Sequence, residues 1–331
     1  RAALPPRVLM FAAHRIAAVT SIVAMTFSGI PSRALAATVD WGAAQSGEPG
    51  VYSWQLLDNW TNAGQPVTAV PNAIGDVANL NLLPLSGNQI INLDGLVSIG
   101  TLNIGDADGR RSYTIAAGAG GSLTFDGGTS SALNKFGIGT DVIAANITLT
   151  GAAPLTLNVD DGVLALTGAV SGAGGLVKNG AGTLILSGAN TYTGVTTLNS
   201  GITLLVAVGN NTTVLGAASA GNHTVVNSGA TLAYGPDVLG SGQYVPTEPV
   251  TINGDGFRRN GAIRGFMGAN GTNINGVVTM GSAARIQNDQ AGTLTLSQAF
   301  DVSSALTVVG VGFVDIAGAA SGSADINHYG L

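Results

Sequence analysis

Cysteine is absent from all 331 residues. That excludes the small secreted modules that replace a core with disulfides. It also suits passage through an oxidising periplasm, where stray thiols would pair and stall transport. Charge is scarce at 9% of residues, and the lysines number two, Lys135 and Lys178. They follow Asn and Val, so the Gly-Lys-Ser/Thr core of a phosphate-binding loop is missing. No serine sits in a G-x-S-x-G elbow. The histidines, His14, His223 and His328, are too few and too dispersed for a zinc site without carboxylates beside them. Aromatics make up 5% of the chain. Nowhere does an apolar run reach the ~20 residues of a membrane-spanning helix.

What the chain has instead is glycine, 50 of 331 residues, about twice the usual ~7% share. Its apolar fraction, 45%, is mostly small or β-branched. From Ile90 onward, runs of alternating apolar and polar residues are each closed by Gly, Asp or Asn. Runs this short argue against helices and α/β units and for strands joined by tight corners. No such strand buries a core alone, so each must stack on copies of itself. The expected fold is all-β, a β-solenoid.

Residues 176–205 (LVKNGAGTLILSGANTYTGVTTLNSGITLL) show the pattern most densely. They resemble the autotransporter-associated β-strand repeat, also called the passenger-associated transport repeat. The matching positions include Leu176, Lys178, Gly180, Gly182, Thr183, Leu184, Leu186, Gly188, Asn190, Tyr192, Gly194 and Thr196. The sequence departs at Asn179 and Val195 and carries one extra residue before Leu204. The resemblance implies a right-handed parallel β-helix from the passenger region of an exported bacterial surface protein. It also implies an outer-membrane translocator as partner, in a part of the protein beyond this sequence.

Three regions are expected. Residues 1–36 read as a signal peptide, with a basic start, the apolar stretch Ile16–Phe27 and an Ala34-Leu35-Ala36 cleavage box. Residues 37–85 hold all three tryptophans, Trp41, Trp54 and Trp60. They read as an N-terminal cap over the exposed edge of the first coil. Residues 86–331 form the repeats, and about 295 mature residues at roughly 20 per coil give ~15 coils. Gly162–Gly180 aligns on Gly312–Gly330, which places the same inward faces a whole number of coils apart and suggests a C-terminal truncation. In residues 260–297, a second family-like stretch, Val277, Thr279, Ile286, Leu294 and Leu296 are expected to point inward.

Chemistry is sparse. The densest carboxylate pairs, Asp106/Asp108 and Asp160/Asp161, lie among glycines, where Asp commonly bonds its own turn. His223 reads as a solvated turn residue. Trp41, Trp54, Trp60 and Tyr192 read as packing groups, although such rings also stack on sugars. No catalytic, cofactor-binding or metal-ligating residue is assigned. Removing residues 1–36 takes four of the twelve cations and no acid, leaving 8 − 18 = −10, which disfavours nucleic acid. The expected function is a non-enzymatic passenger or stalk, with adhesion to a surface or carbohydrate ligand as an accompanying role. A carbohydrate-active β-helix enzyme and a calcium-dependent adhesive module are the alternatives.

Overall fold

The computed structural model describes residues 36–330 apart from 43–48, 107, 207–212, 219–220, 236–246, 266–270 and 290–291. The expected leader therefore lies outside the described residues, except for Ala36. What is described is a parallel β-solenoid. The only helical elements among these residues are two single turns, Leu57–Asn59 and Phe257–Arg259. No helix among them is long and apolar enough to cross a membrane.

The circuits run over three sides, the third without strands among the described residues in the middle of the stack. The first side stacks strands such as Val77–Leu80, Thr101–Ile104, Ser131–Lys135, Leu155–Val159 and Leu176–Asn179. The second stacks Gln89–Asn92, Tyr113–Ala116, Thr140–Ile143, Val163–Leu166 and Thr183–Leu186. A third side runs from Leu96–Ile99 through Ser122–Phe125 and Ile147–Leu149 to Val170–Gly172. It stops there and resumes with Thr272–Ile274, Thr293–Leu296 and Phe313–Ile316. Val278–Asn288 turns the corner without a break, its front half pairing on the first side and its rear half on the second.

Strand alternation follows from the two-residue period of the pleat. Inward positions such as Leu102, Leu133, Leu157 and Leu164 are fully buried. Because the strands are parallel and in register, every inward side chain sits on the equivalent one of the next coil. One continuous apolar interior results.

On the first side, the outward positions carry an asparagine ladder. Asn79 donates to Asp40, and Asn103, Asn134, Asn158, Asn179, Asn199 and Asn227 each donate from Nδ2 to the preceding Oδ1, at 2.7–3.0 Å. The bonds all point the same way, so each amide polarises the next, and the series ends on a carboxylate acceptor. Its sequence separations, 24, 31, 24, 21, 20 and 28 residues, are the lengths of successive circuits.

Those lengths correct the expected pitch. Twelve strands stack on the first side, from Thr38–Trp41 to Ala320–Ser321. Circuits longer than the motif coil give fewer coils than the ~15 expected, and eleven steps at 4.7–4.9 Å make a stack on the order of 50 Å.

The first strand is covered on its free edge. Trp60–Asn62 pairs antiparallel with Thr38–Trp41, and Gln65–Pro66 pairs antiparallel with Trp60–Asn62. Trp41, Trp54 and Trp60 are buried and meet edge to face, with centroids 4.8 and 4.7 Å apart. Each indole N–H is satisfied, by Gln89 Oε1, the Pro71 carbonyl and the Trp54 carbonyl respectively.

Two expectations about register fail. Ile286, Leu294 and Leu296 are buried, but Val277 is 42% exposed and Thr279 also faces out, while Val278 and Met280 are buried. Both alternating sets in this strand are apolar enough to pass for core, and only pairing with Val250 and Ile252 selects one. The Gly162/Gly312 alignment likewise does not span a whole number of coils. Val163–Leu166 lies on the second side, whereas Phe313–Ile316 lies on the third. All sides alternate in the same way, so sequence likeness does not report the side.

The register makes a testable contrast. Val278→Asp buries an unpaired carboxylate and should cost several kcal/mol, whereas Val277→Asp should stay within about 0.5 kcal/mol. Urea unfolding followed by circular dichroism reads both, and equal effects would refute this register.

Candidate functional site

The densest set of special side chains belongs to the coil that carries the motif. Leu176–Asn179 and Thr183–Leu186 occupy the first and second sides, joined by a glycine corner. Leu176, Leu184 and Leu186 fill the interior. Lys178 points inward with them and is fully buried. Its Nζ donates to the carbonyls of Gly180, Gly182 and Ser200 at 2.6, 2.7 and 2.9 Å. Burial pushes the ammonium down to about 8, with Asp160 pulling the other way. It is therefore still a cation at neutral pH, with three N–H groups for three corner carbonyls, two of which also accept from Ser200 Oγ and the Ile202 N–H. Glycine at 201 keeps that corner open. Its φ is +71°, and a Cβ there would lie 2.5 Å from both corner carbonyls and from Nζ.

The motif coil has no strand on the third side, and its side chains make the connection there. Asn190 is buried, accepts from the Val170 N–H at 2.8 Å and donates to the Val214 carbonyl at 2.5 Å. One amide thus ties its own coil to the coils on either side. Two residues on, Tyr192 is fully buried and its hydroxyl lies 2.7 Å from Thr196 Oγ1. Gly194 permits close approach, since a Cβ would sit 2.4 Å from the Gly175 nitrogen.

A buried acid lies near the same tyrosine. Glu248 is 1% exposed and accepts from Thr224 Oγ1 at 2.7 Å. Burial lifts its carboxyl to about 8, against the Thr224 hydrogen bond. Desolvation first, and then Glu248, push Tyr192 and Tyr234 up as well. At neutral pH this is an uncharged acid in an uncharged cluster. A second interior cluster holds Asp141 and Lys135, 3.2 Å apart and both buried. Desolvation raises the Asp141 carboxyl, opposed by the Tyr113 N–H and Lys135.

The corner carboxylates, Asp106 buried and Asp108 and Asp161 exposed, serve turns. Asp106 accepts from the N–H groups of Leu85, Arg110 and Arg111 at 2.7–3.0 Å. Burial works to raise it, but these bonds and the Asp108 side chain hold it below the usual range. Asp108 accepts from Arg110 N–H, and Asp161 from Gly162 N–H. His223 is half-buried at a strand entry, and His328 lies exposed in Ile326–Gly330. No group of three or more His, Cys, Asp or Glu among the described residues is placed to hold a metal ion. The three tryptophans and Tyr192 present no ring to solvent. Two surface hollows, one by Gly127–Ser131 and one by Val39 and Pro66, contain no pair of carboxylates.

Several of these groups escape a reading of sequence. The asparagine ladder had a signal, Asn closing successive strands at circuit-length intervals. Lys178 stands two residues after Leu176, so alternation turns it inward, but nothing in the sequence shows which carbonyls hold it there. Glu248 had no signal at all.

Two expected outcomes follow from this coil. Lys178→Met removes three hydrogen bonds to charged nitrogen, leaves the Gly180 and Gly182 carbonyls with weaker donors and should cost about 3 kcal/mol in urea unfolding. Glu248 has its folded pKa raised from 4.5 to about 8. The folded state therefore holds the extra proton, and its contribution is complete below the unfolded pKa. It is lost as pH rises through about 8, a fall on the order of 4 kcal/mol. Glu248→Gln should flatten that part of the Tm–pH profile between about pH 5 and pH 9.

Residues 176–206 match the family described as the passenger-associated-transport-repeat. The chain is 33% identical over 143 residues to the adhesin BmaC autotransporter of Brucella suis biovar 1 (strain 1330). That stretch is 42% of this chain and 4% of the Brucella protein, so the chain spans a small fraction of the relative it matches. No solved structure matches the chain.

Proposed function

Because the chain carries a passenger-associated transport repeat, we propose that it is a structural, non-enzymatic passenger segment, exported and displayed at a bacterial surface. The observation that carries this reading is the use of the motif. Lys178 and Asn190 are spent on joining coils, through Ser200 and Val214, Tyr192 is buried against Thr196, and none of the three faces a substrate. A segment built this way extends and presents. Adhesion then belongs to its outward corners, in keeping with the name of the Brucella relative, an adhesin. Residues 1–36 act as the export signal, and residues 37–85 cap the stack. An outer-membrane translocator encoded elsewhere in the full protein is the export partner.

The same physics supplies a role in secretion. Each coil that reaches the outside adds an apolar layer and completes the backbone hydrogen bonds of the coil before it. Refolding outside the cell then opposes back-sliding. Low charge and the lack of cysteine keep the unfolded chain threadable.

The test uses the bacterium that makes the protein. Antibodies to residues 90–330 should label intact cells, and added protease should remove the label without lysis. Purified chain should leave a panel of polysaccharides uncleaved, and Asp160→Asn with Asp161→Asn should change nothing measured. Label seen only after permeabilisation would overturn display, and turnover lost in the double variant would overturn the non-enzymatic reading.

A further inference from the structure

Positive charge is concentrated in one corner of the solenoid. After residue 36 the cations are Arg110, Arg111, Lys135, Lys178, Arg258, Arg259, Arg264 and Arg285. Both lysines are buried, and Arg110 with Arg111 stands at a corner six steps earlier. The other four lie on two adjacent coils, around the turn that links Val250–Gly254 to Ile263–Gly265 and on the strand beyond it.

The turn itself is strained where its arginines sit. Arg258 and Arg259 have φ of 52° and 64°, a left-handed pair that costs roughly 1–2 kcal/mol per residue for side chains other than glycine. Glycines at 256 and 261 already take positive φ on either side, so the turn tolerates glycine, yet it holds two arginines. Such strain persists at positions where function requires a particular side chain.

The guanidinium groups form a connected set. The Arg258 guanidinium lies 4.9 Å over the Phe257 ring, giving a flat apolar and cationic platform. Asp255 stands between Arg259 and Arg285, at 3.4 and 3.8 Å. The Arg285 Nε is buried and makes no hydrogen bond. Arg264 is held by Asp289, with Gln287 donating to the other carboxylate oxygen. Four cations face two carboxylates, a local balance of +2 on a chain whose formal charge is −6.

We propose that this arginine corner binds an acidic polysaccharide, one bearing carboxylate or sulfate groups, through Arg258, Arg259 and Arg285. Guanidinium forks match such anions in pairs, and the Phe257–Arg258 platform offers a face for a sugar ring. A thin sugar chain with spaced anions reaches the corner alone. A membrane or a duplex would bring its extended negative surface against more of a chain whose net charge is −6. The site supplies a ligand class for the display reading and rests on that reading only for its setting.

The experiment measures binding of the purified full chain to immobilised dextran sulfate and polygalacturonate, with neutral dextran as control. Binding should be seen with the two charged polymers alone and weaken on going from about 50 to about 300 mM salt. Arg258→Gly with Arg259→Gly relieves the backbone, so Tm should hold or rise while affinity falls about tenfold or more. Arg110→Ala with Arg111→Ala should leave affinity unchanged. The site is overturned if the glycine variant binds as well as the parent, if the Arg110/Arg111 variant loses as much, or if neither charged polymer binds. Surface labelling of intact cells does not depend on these outcomes, so failure here leaves display standing.

Discussion

Parallel, in-register stacking is the constraint on which the rest of the molecule depends. Each strand finds its hydrogen-bond partners only in the coils before and after it, so a coil has no stable structure without neighbours. Register then decides everything at once. A slip by one residue would turn Leu102, Leu133 and Leu157 out to water and bring the asparagine ladder into the core.

The polar groups that interrupt the apolar interior act against such slips. Lys178 reaches two carbonyls of its own corner and one of the next coil's, and Asn190 reaches two neighbouring coils. These bonds form in one register only, because any shift leaves buried donors and acceptors unpaired. Glu248 and Asp141 belong to the same economy, one neutral through burial and the other beside Lys135. Outside, the amide ladder repeats the register on the solvent face. The antiparallel strand Trp60–Asn62 meanwhile closes the edge where stacking begins. A chain so committed to holding its coils together keeps its free chemistry for corners, which is where the arginines lie.

Much of this was legible in residues 90–205. Short runs punctuated by Gly, Asn and Asp point to strands with corners, and strands too short for a core must stack. The inward leucines of the motif, Leu176, Leu184 and Leu186, follow from alternation alone. Around Val277–Met280 alternation fails, because both faces are apolar enough for a core. The pitch was misjudged for a related reason. Corners differ in length, and the motif coil, one of the shortest circuits, is a poor ruler for the others.

Composition and local pattern by themselves determined the class of fold, the coil as its unit and the absence of disulfides. Those properties depend on residue type and on near neighbours in the chain. Tertiary structure alone decided which side each strand joins, which carbonyls hold Lys178 and that Glu248 sits uncharged. It also brought Arg285 beside the arginines at 258, 259 and 264. These follow from what the adjacent coil places a few ångströms away, across the twenty to thirty residues of a circuit, and no local signal spans that gap.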